Sequence, residues 1–194
     1  MKKYIPNSLT LFRVILVPVF FWLIYYSNLK YNYQWATFVF IIASITDIFD
    51  GLLARRFSVV TNFGKIMDPL ADKLLTLLAL VALISEPMKM MSVYVFYIIL
   101  FREVFITLLR QYYTLKKIYI SANVWGKVKT TFQLTGIISA LVYYSLLYPL
   151  IPDPLIPAYH SKFQFGFNIF FWITAVITVL SGITYLLPNA RKGN

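Results

Sequence analysis

The chain has 194 residues, 60% of them hydrophobic and only 13% charged, with a mean hydropathy of +0.72. Soluble domains run at about 45–50% apolar and about 25% charged, so a soluble fold is excluded, and the absence of cysteine excludes disulfides and thiolate metal sites. The net charge of +11 is read as the basic excess of loops facing an anionic leaflet; nucleic acid is not expected, because no soluble aromatic–basic module is present to carry it.

Apolar runs recur along the whole length and predict an all-α integral membrane bundle, residues 1–194 forming one membrane domain. Six spans are expected: Leu9–Ser27, Tyr33–Leu53, Lys65–Ser85, Met91–Tyr113, Val124–Tyr148 and Phe165–Leu187. Each is long enough for a hydrocarbon core of about 30 Å at about 1.5 Å per residue. The first run follows Met1-Lys2-Lys3 but lacks a small-residue cleavage site, so it reads as a retained helix rather than a signal peptide. Residues 149–162 hold four prolines and are expected as an ordered or extended external loop, with His160 a surface residue on it.

Orientation follows from the basic residues. With both termini inside, Lys2, Lys3, Arg55, Arg56, Lys65, Lys116, Lys117, Arg191 and Lys192 face the cytoplasm, against Lys30, Lys89 and Lys162 outside. The segment Asp47–Asp72 then lies at the cytoplasmic ends of spans two and three.

Four of the seven acidic residues fall in that segment. Asp47 and Asp50 are three apart and Asp68 and Asp72 four apart, so on a helix each pair shares one face. Four anions in a medium of reduced dielectric require compensating cations. All-oxygen donors suit a hard divalent ion, and no His or Cys is near to suggest zinc. The alternative is an interfacial salt-bridge cluster with Arg55, Arg56, Lys65 and Lys73. Gly51 and Ala54 let a ligand approach the helix closely, and Gly64, at the entry to span three, leaves backbone N–H groups for an anion.

The string Asp47-x2-Asp50-Gly51-x2-Ala54-Arg55-x8-Gly64-x3-Asp68-x3-Asp72 resembles, at all eight positions, the signature of the CDP-alcohol phosphatidyltransferases. The six-span layout extends the resemblance to essentially the whole chain. It implies transfer of a phosphatidyl group from a CDP-linked donor to an alcohol, with release of CMP. It further implies two divalent cations, Mg²⁺ or Mn²⁺, held by Asp47, Asp50 and Asp68 with Asp72 completing the site. Asp72 would also be the general base, and Gly51, Ala54 and Arg55 would line the donor pocket. A homodimer is expected on the same ground, and the orientation read from the basic residues turns the active site to the cytoplasm of what is expected to be a bacterial cytoplasmic membrane.

The remaining polar residues address donor and acceptor. Asn7, Thr10 and Arg13 open span one; they read either as donor contacts or as a helix cap (Asn7 or Ser8) with a snorkelling Arg. Arg102 and Glu103 sit in mid-span four with Arg110 two turns on; they read as an internal pair or as acceptor contacts. Lys127 and Lys129, at the start of span five, suit either an anion or lipid phosphates. Together these segments resemble the members of the family that take glycerol 3-phosphate, with CDP-diacylglycerol as donor. Phosphatidylglycerol, an inositol phosphate or serine are the alternative acceptors. A divalent-cation transporter is the alternative of another class; it would place the acids near the midplane with a polar path to both faces, whereas here they gather at one end.

Overall fold

The computed structural model describes residues 5–57, 62–116 and 124–186, with side chains given except at 5–10, 47–57, 62–72, 114, 153 and 185–186. The described residues are predominantly helical, with no strand among them. Six α-helices follow in order: α1 Ile5–Tyr25, α2 Asn32–Phe57, α3 Asn62–Ile84, α4 Val93–Leu115, α5 Val124–Val142 and α6 Ile156–Leu186. Two helical stretches, Val124–Leu150 and Ile156–Thr184, are long and apolar enough to cross a membrane, with mean hydropathies of 1.3 and 1.8. Their composition, with the outward-facing Phe101, Phe105, Trp172, Val176 and Leu180, fits membrane association: in water such surfaces would be buried.

The chain divides into two compact units. The first comprises residues 1–82 and 141–151. Here α1 packs along α2. Ala36 and Ala43 are small residues seven apart on α2, fully buried, and they leave room for Phe20 of α1 to meet Phe40 with ring centroids 5.7 Å apart. Hydroxyls in this apolar surround bond to their own helix: Ser44 to the Phe40 carbonyl at 2.8 Å and Thr46 to that of Ile42 at 2.7 Å. Thr37 donates to Tyr33 O at 2.8 Å and lies 3.4 Å from Leu141 O, and Tyr33 meets Tyr144 edge-on at 4.9 Å. These contacts tie α2 to the π-helical stretch Tyr143–Leu147 that continues α5.

The second unit comprises residues 83–140 and 152–194. In it α4 packs along α6. The turn between α3 and α4 buries Met88, Met90 and Met91, and the Met90 amide donates to Leu83 O at 2.8 Å. The Gln164 amide of α6 donates to Met88 O at 3.0 Å. α5 meets α6 where Gly136 lies under Phe170: a Cβ on Gly136 would stand 2.6 Å from the Phe170 ring.

Five helices lie where the sequence predicts them, within four residues at each end, except that α5 stops at Val142 and the predicted span continues as the π-helical stretch to Leu147. The Pro-rich segment differs. It breaks only at Ile151 and Pro152; Tyr148–Leu150 and Asp153–Leu155 are 3₁₀ turns, and α6 starts at Ile156 rather than Phe165. Pro157 is the second residue of α6, within the first turn, where a missing N–H costs no hydrogen bond. His160 is therefore helical and half-buried, not a loop residue.

Candidate active site

All residues expected to hold donor and metal belong to the first unit, and all those expected to hold the acceptor belong to the second. Asp47, Asp50, Gly51, Ala54 and Arg55 lie in α2; Gly64, Asp68 and Asp72 lie in α3. The side chains of these residues, and of Asn7 and Thr10, lie outside the described set. Their backbone does not: it is α-helical through 47–50 and through 68–72. The spacings of three and four therefore put each aspartate pair on a single helix face. Oxygen donors in paired carboxylates match what a hard divalent cation requires, so this donor set fits the metal that the sequence implies. Gly64 lies in the first turn of α3, whose leading N–H groups have no intrahelical acceptor.

At the head of α1, the helix already includes Asn7 and Ser8, so neither is its N-cap. Pro6 occupies the first turn, where proline is well tolerated. Arg13 is completely buried in the first unit. It does not snorkel to a surface. A guanidinium held this deep is costly unless other groups compensate it, which favours a working role over a lipid-facing one.

The four candidate acceptor cations separate into two kinds. Lys129 is buried and forms an ion pair with Glu103 across from α4. Arg102 Nη1 stands 3.6 Å from the same carboxylate, and Nη2 donates to Ser181 Oγ on α6. Gly182, the next residue, allows this: a Cβ there would already touch Arg102 Cγ at 3.4 Å. One acid thus binds two cations and draws three helices together. Arg110 and Lys127 are instead exposed. Lys127 and Gly126 lie in the first turn of α5, while Thr130 and Thr131 donate to the carbonyls of Gly126 at 3.0 Å and Lys127 at 3.1 Å.

Sequence reasoning offered an Arg102–Glu103 pair as one reading, and missed Lys129 as the closer partner and Ser181 as the third anchor. The signal that was available is Glu103 itself, a lone acid in the middle of a largely apolar helix that must find cations. Near this cluster in the fold, Gln133 Oε1 and Thr178 Oγ1 are buried without a hydrogen-bond partner among the described residues.

Paired acids on two consecutive helices and cations on the next two suit an enzyme that handles anionic substrates, and comparison with known proteins identifies the family. The profile of CDP-alcohol phosphatidyltransferases matches residues 3–180, and the chain belongs to this family. It is 32% identical over 196 residues to a CDP-diacylglycerol–glycerol-3-phosphate 3-phosphatidyltransferase of Haemophilus influenzae, covering all of this chain and 96% of that protein. The protein of the same name from Bacillus subtilis is 32% identical, covering 95% of this chain and 94% of its own length. That from Escherichia coli is 37% identical over 139 residues, 71% of this chain and 76% of that protein. The chain is accordingly a transferase.

Proposed function

We propose that this enzyme transfers the phosphatidyl group of CDP-diacylglycerol to glycerol 3-phosphate, yielding phosphatidylglycerophosphate and CMP. The observation that carries the proposal is the helical register of Asp47/Asp50 and Asp68/Asp72, in a family member whose full-length relatives bear the name of that reaction.

Asp72 accepts the proton of the acceptor's primary hydroxyl as its oxygen forms a bond to the phosphorus of the phosphatidyl group. The bond from that phosphorus to the bridging oxygen breaks, and CMP leaves with the electron pair. Two divalent cations, Mg²⁺ or Mn²⁺, held by Asp47, Asp50, Asp68 and Asp72, supply charge stabilisation on the pyrophosphate when bound. Gly51, Ala54, Arg55 and Gly64, with Asn7, Thr10 and Arg13, hold the donor. Arg110 and Lys127, being exposed, bind the acceptor's phosphate. Lys129 and Arg102 act one step back, holding α4, α5 and α6 in register through Glu103.

Six spans with both termini inside, in a bacterial cytoplasmic membrane, bring the site to the cytosolic leaflet and its soluble acceptor. The chain acts as one membrane domain and as a homodimer. Incorporation of radiolabelled glycerol 3-phosphate into a chloroform-soluble product tests the proposal. The expected product carries two phosphates per diacylglycerol. A lipid-soluble product formed only from inositol phosphate or serine would reassign the acceptor.

A further inference from the structure

The second unit contains a cavity of about 430 Å³ lined by Gly136 and Ser139 of α5 and by Lys162, Phe163, Gly166, Phe167 and Phe170 of α6. It lies toward the end of α5 and the beginning of α6, whereas the Glu103–Lys129–Arg102–Ser181 cluster involves the opposite ends of both helices. No residue assigned above to donor, metal or acceptor lines it.

Its two glycines behave differently. Gly136 is demanded by packing, because Phe170 lies against it and stacks on Phe132 at 6.0 Å. Gly166 is not: a Cβ there would meet nothing within 4 Å. A mid-helix glycine costs about 1 kcal/mol against alanine, and here no neighbouring atom of the chain requires it. What Gly166 preserves is empty space along α6, walled by phenyl rings. The single cation on the wall, Lys162, is exposed, lies 5.8 Å from the Tyr159 ring centre, and has no acidic partner among the described residues. Lysine beside tyrosine at the end of an apolar slot matches the division of a lipid into phosphate and tail.

We propose that this cavity is a binding site for one anionic phospholipid, an acyl chain lying over Gly166 between Phe163, Phe167 and Phe170 and the headgroup phosphate paired with Lys162. No donor residue lines the site, and with the orientation proposed above the start of α6 faces the outer leaflet. A second copy of the chain is the less suitable occupant: a two-fold contact centred here would bring one Lys162 toward the other. The inference rests on membrane embedding and on the orientation proposed above, but not on the identity of the acceptor.

The test uses the full chain in phosphatidylcholine nanodiscs containing trace phosphatidylglycerol or phosphatidylcholine with a diazirine in the acyl chain. Illumination followed by peptide mass spectrometry should place the phosphatidylglycerol label on residues 163–170, several-fold above the phosphatidylcholine label. Gly166→Leu, which fills the cavity, should remove that label. Lys162→Gln, a surface change that keeps the cavity, should equalise the two lipids. CMP release should remain at the wild-type level in both variants. Equal labelling of the wild type by both lipids would overturn the proposal, as would undiminished labelling of folded Gly166→Leu. A disulfide formed between copies through Ser139→Cys would assign the cavity to self-association instead. Full CMP release without selective labelling would sink this inference while leaving the proposed reaction standing.

Discussion

Removing the Glu103 carboxylate should destabilise the protein far more than removing the lysine it binds. The cluster holds one negative charge and two positive ones, in side chains no more than 16% exposed. Glu103→Met leaves Arg102 and Lys129 as neighbouring buried cations. At an effective dielectric of about 20, unit charges 3.6 Å apart attract by about 4–5 kcal/mol. Loss of one partner from a buried pair costs about 3–5 kcal/mol. A denatured chain in a micelle also finds polar partners, which reduces the difference, so about 3 kcal/mol is expected. Lys129→Met leaves a balanced Arg102–Glu103 pair and should cost only about 1 kcal/mol. The double variant, again with one unbalanced cation, should be less stable than Lys129→Met alone. The assay is dodecyl sulfate unfolding from dodecylmaltoside micelles, followed by far-ultraviolet circular dichroism. The reasoning is refuted if Glu103→Met is no less stable than Lys129→Met.

Three further outcomes follow from the same structure. Ser181→Ala removes the acceptor of an Arg102 hydrogen bond and should cost about 1.5–3 kcal/mol in the same unfolding assay, because hydrogen bonds to charged groups lie in that range. Gly136→Ala places a methyl 2.6 Å from the Phe170 ring and should cost about 1–3 kcal/mol, with partial recovery in Gly136→Ala/Phe170→Leu. Lys127→Ala should raise the KM for glycerol 3-phosphate about tenfold or more with little loss of stability, as removal of a charge-assisted phosphate contact is worth about 1.4 kcal/mol or above. Lys129→Met should show the opposite balance; a selective KM effect there would exchange the roles given to the two lysines.

Much of the helical layout was legible in the sequence because long apolar runs declare themselves by length. Five of the six helices lie close to their predicted bounds. The start of α6 was missed because proline was counted as a break, although Pro157 lies in a first turn, where no hydrogen bond is lost. The π-helical stretch Tyr143–Leu147 has no sequence signal of its own, and its edge-on contact from Tyr144 to Tyr33 joins residues far apart in the chain. Similarly, the aspartate register follows from local spacing and needs only a helix to become a shared face. The Glu103–Lys129 pair joins residues 26 apart on different helices, and no spacing rule reaches across helices. Composition revealed that Glu103 needed cations, but only packing selects which ones.

The most direct test of the central claim is CMP release by the purified protein from CDP-diacylglycerol, with acceptors supplied one at a time in the presence of Mg²⁺ or Mn²⁺. The account predicts release that depends on glycerol 3-phosphate, stops on addition of EDTA, and is lost in folded Asp72→Asn. Release that persists in EDTA or in Asp72→Asn would contradict the aspartate–metal site, and no release with any alcohol from well-folded protein would contradict the proposed reaction itself.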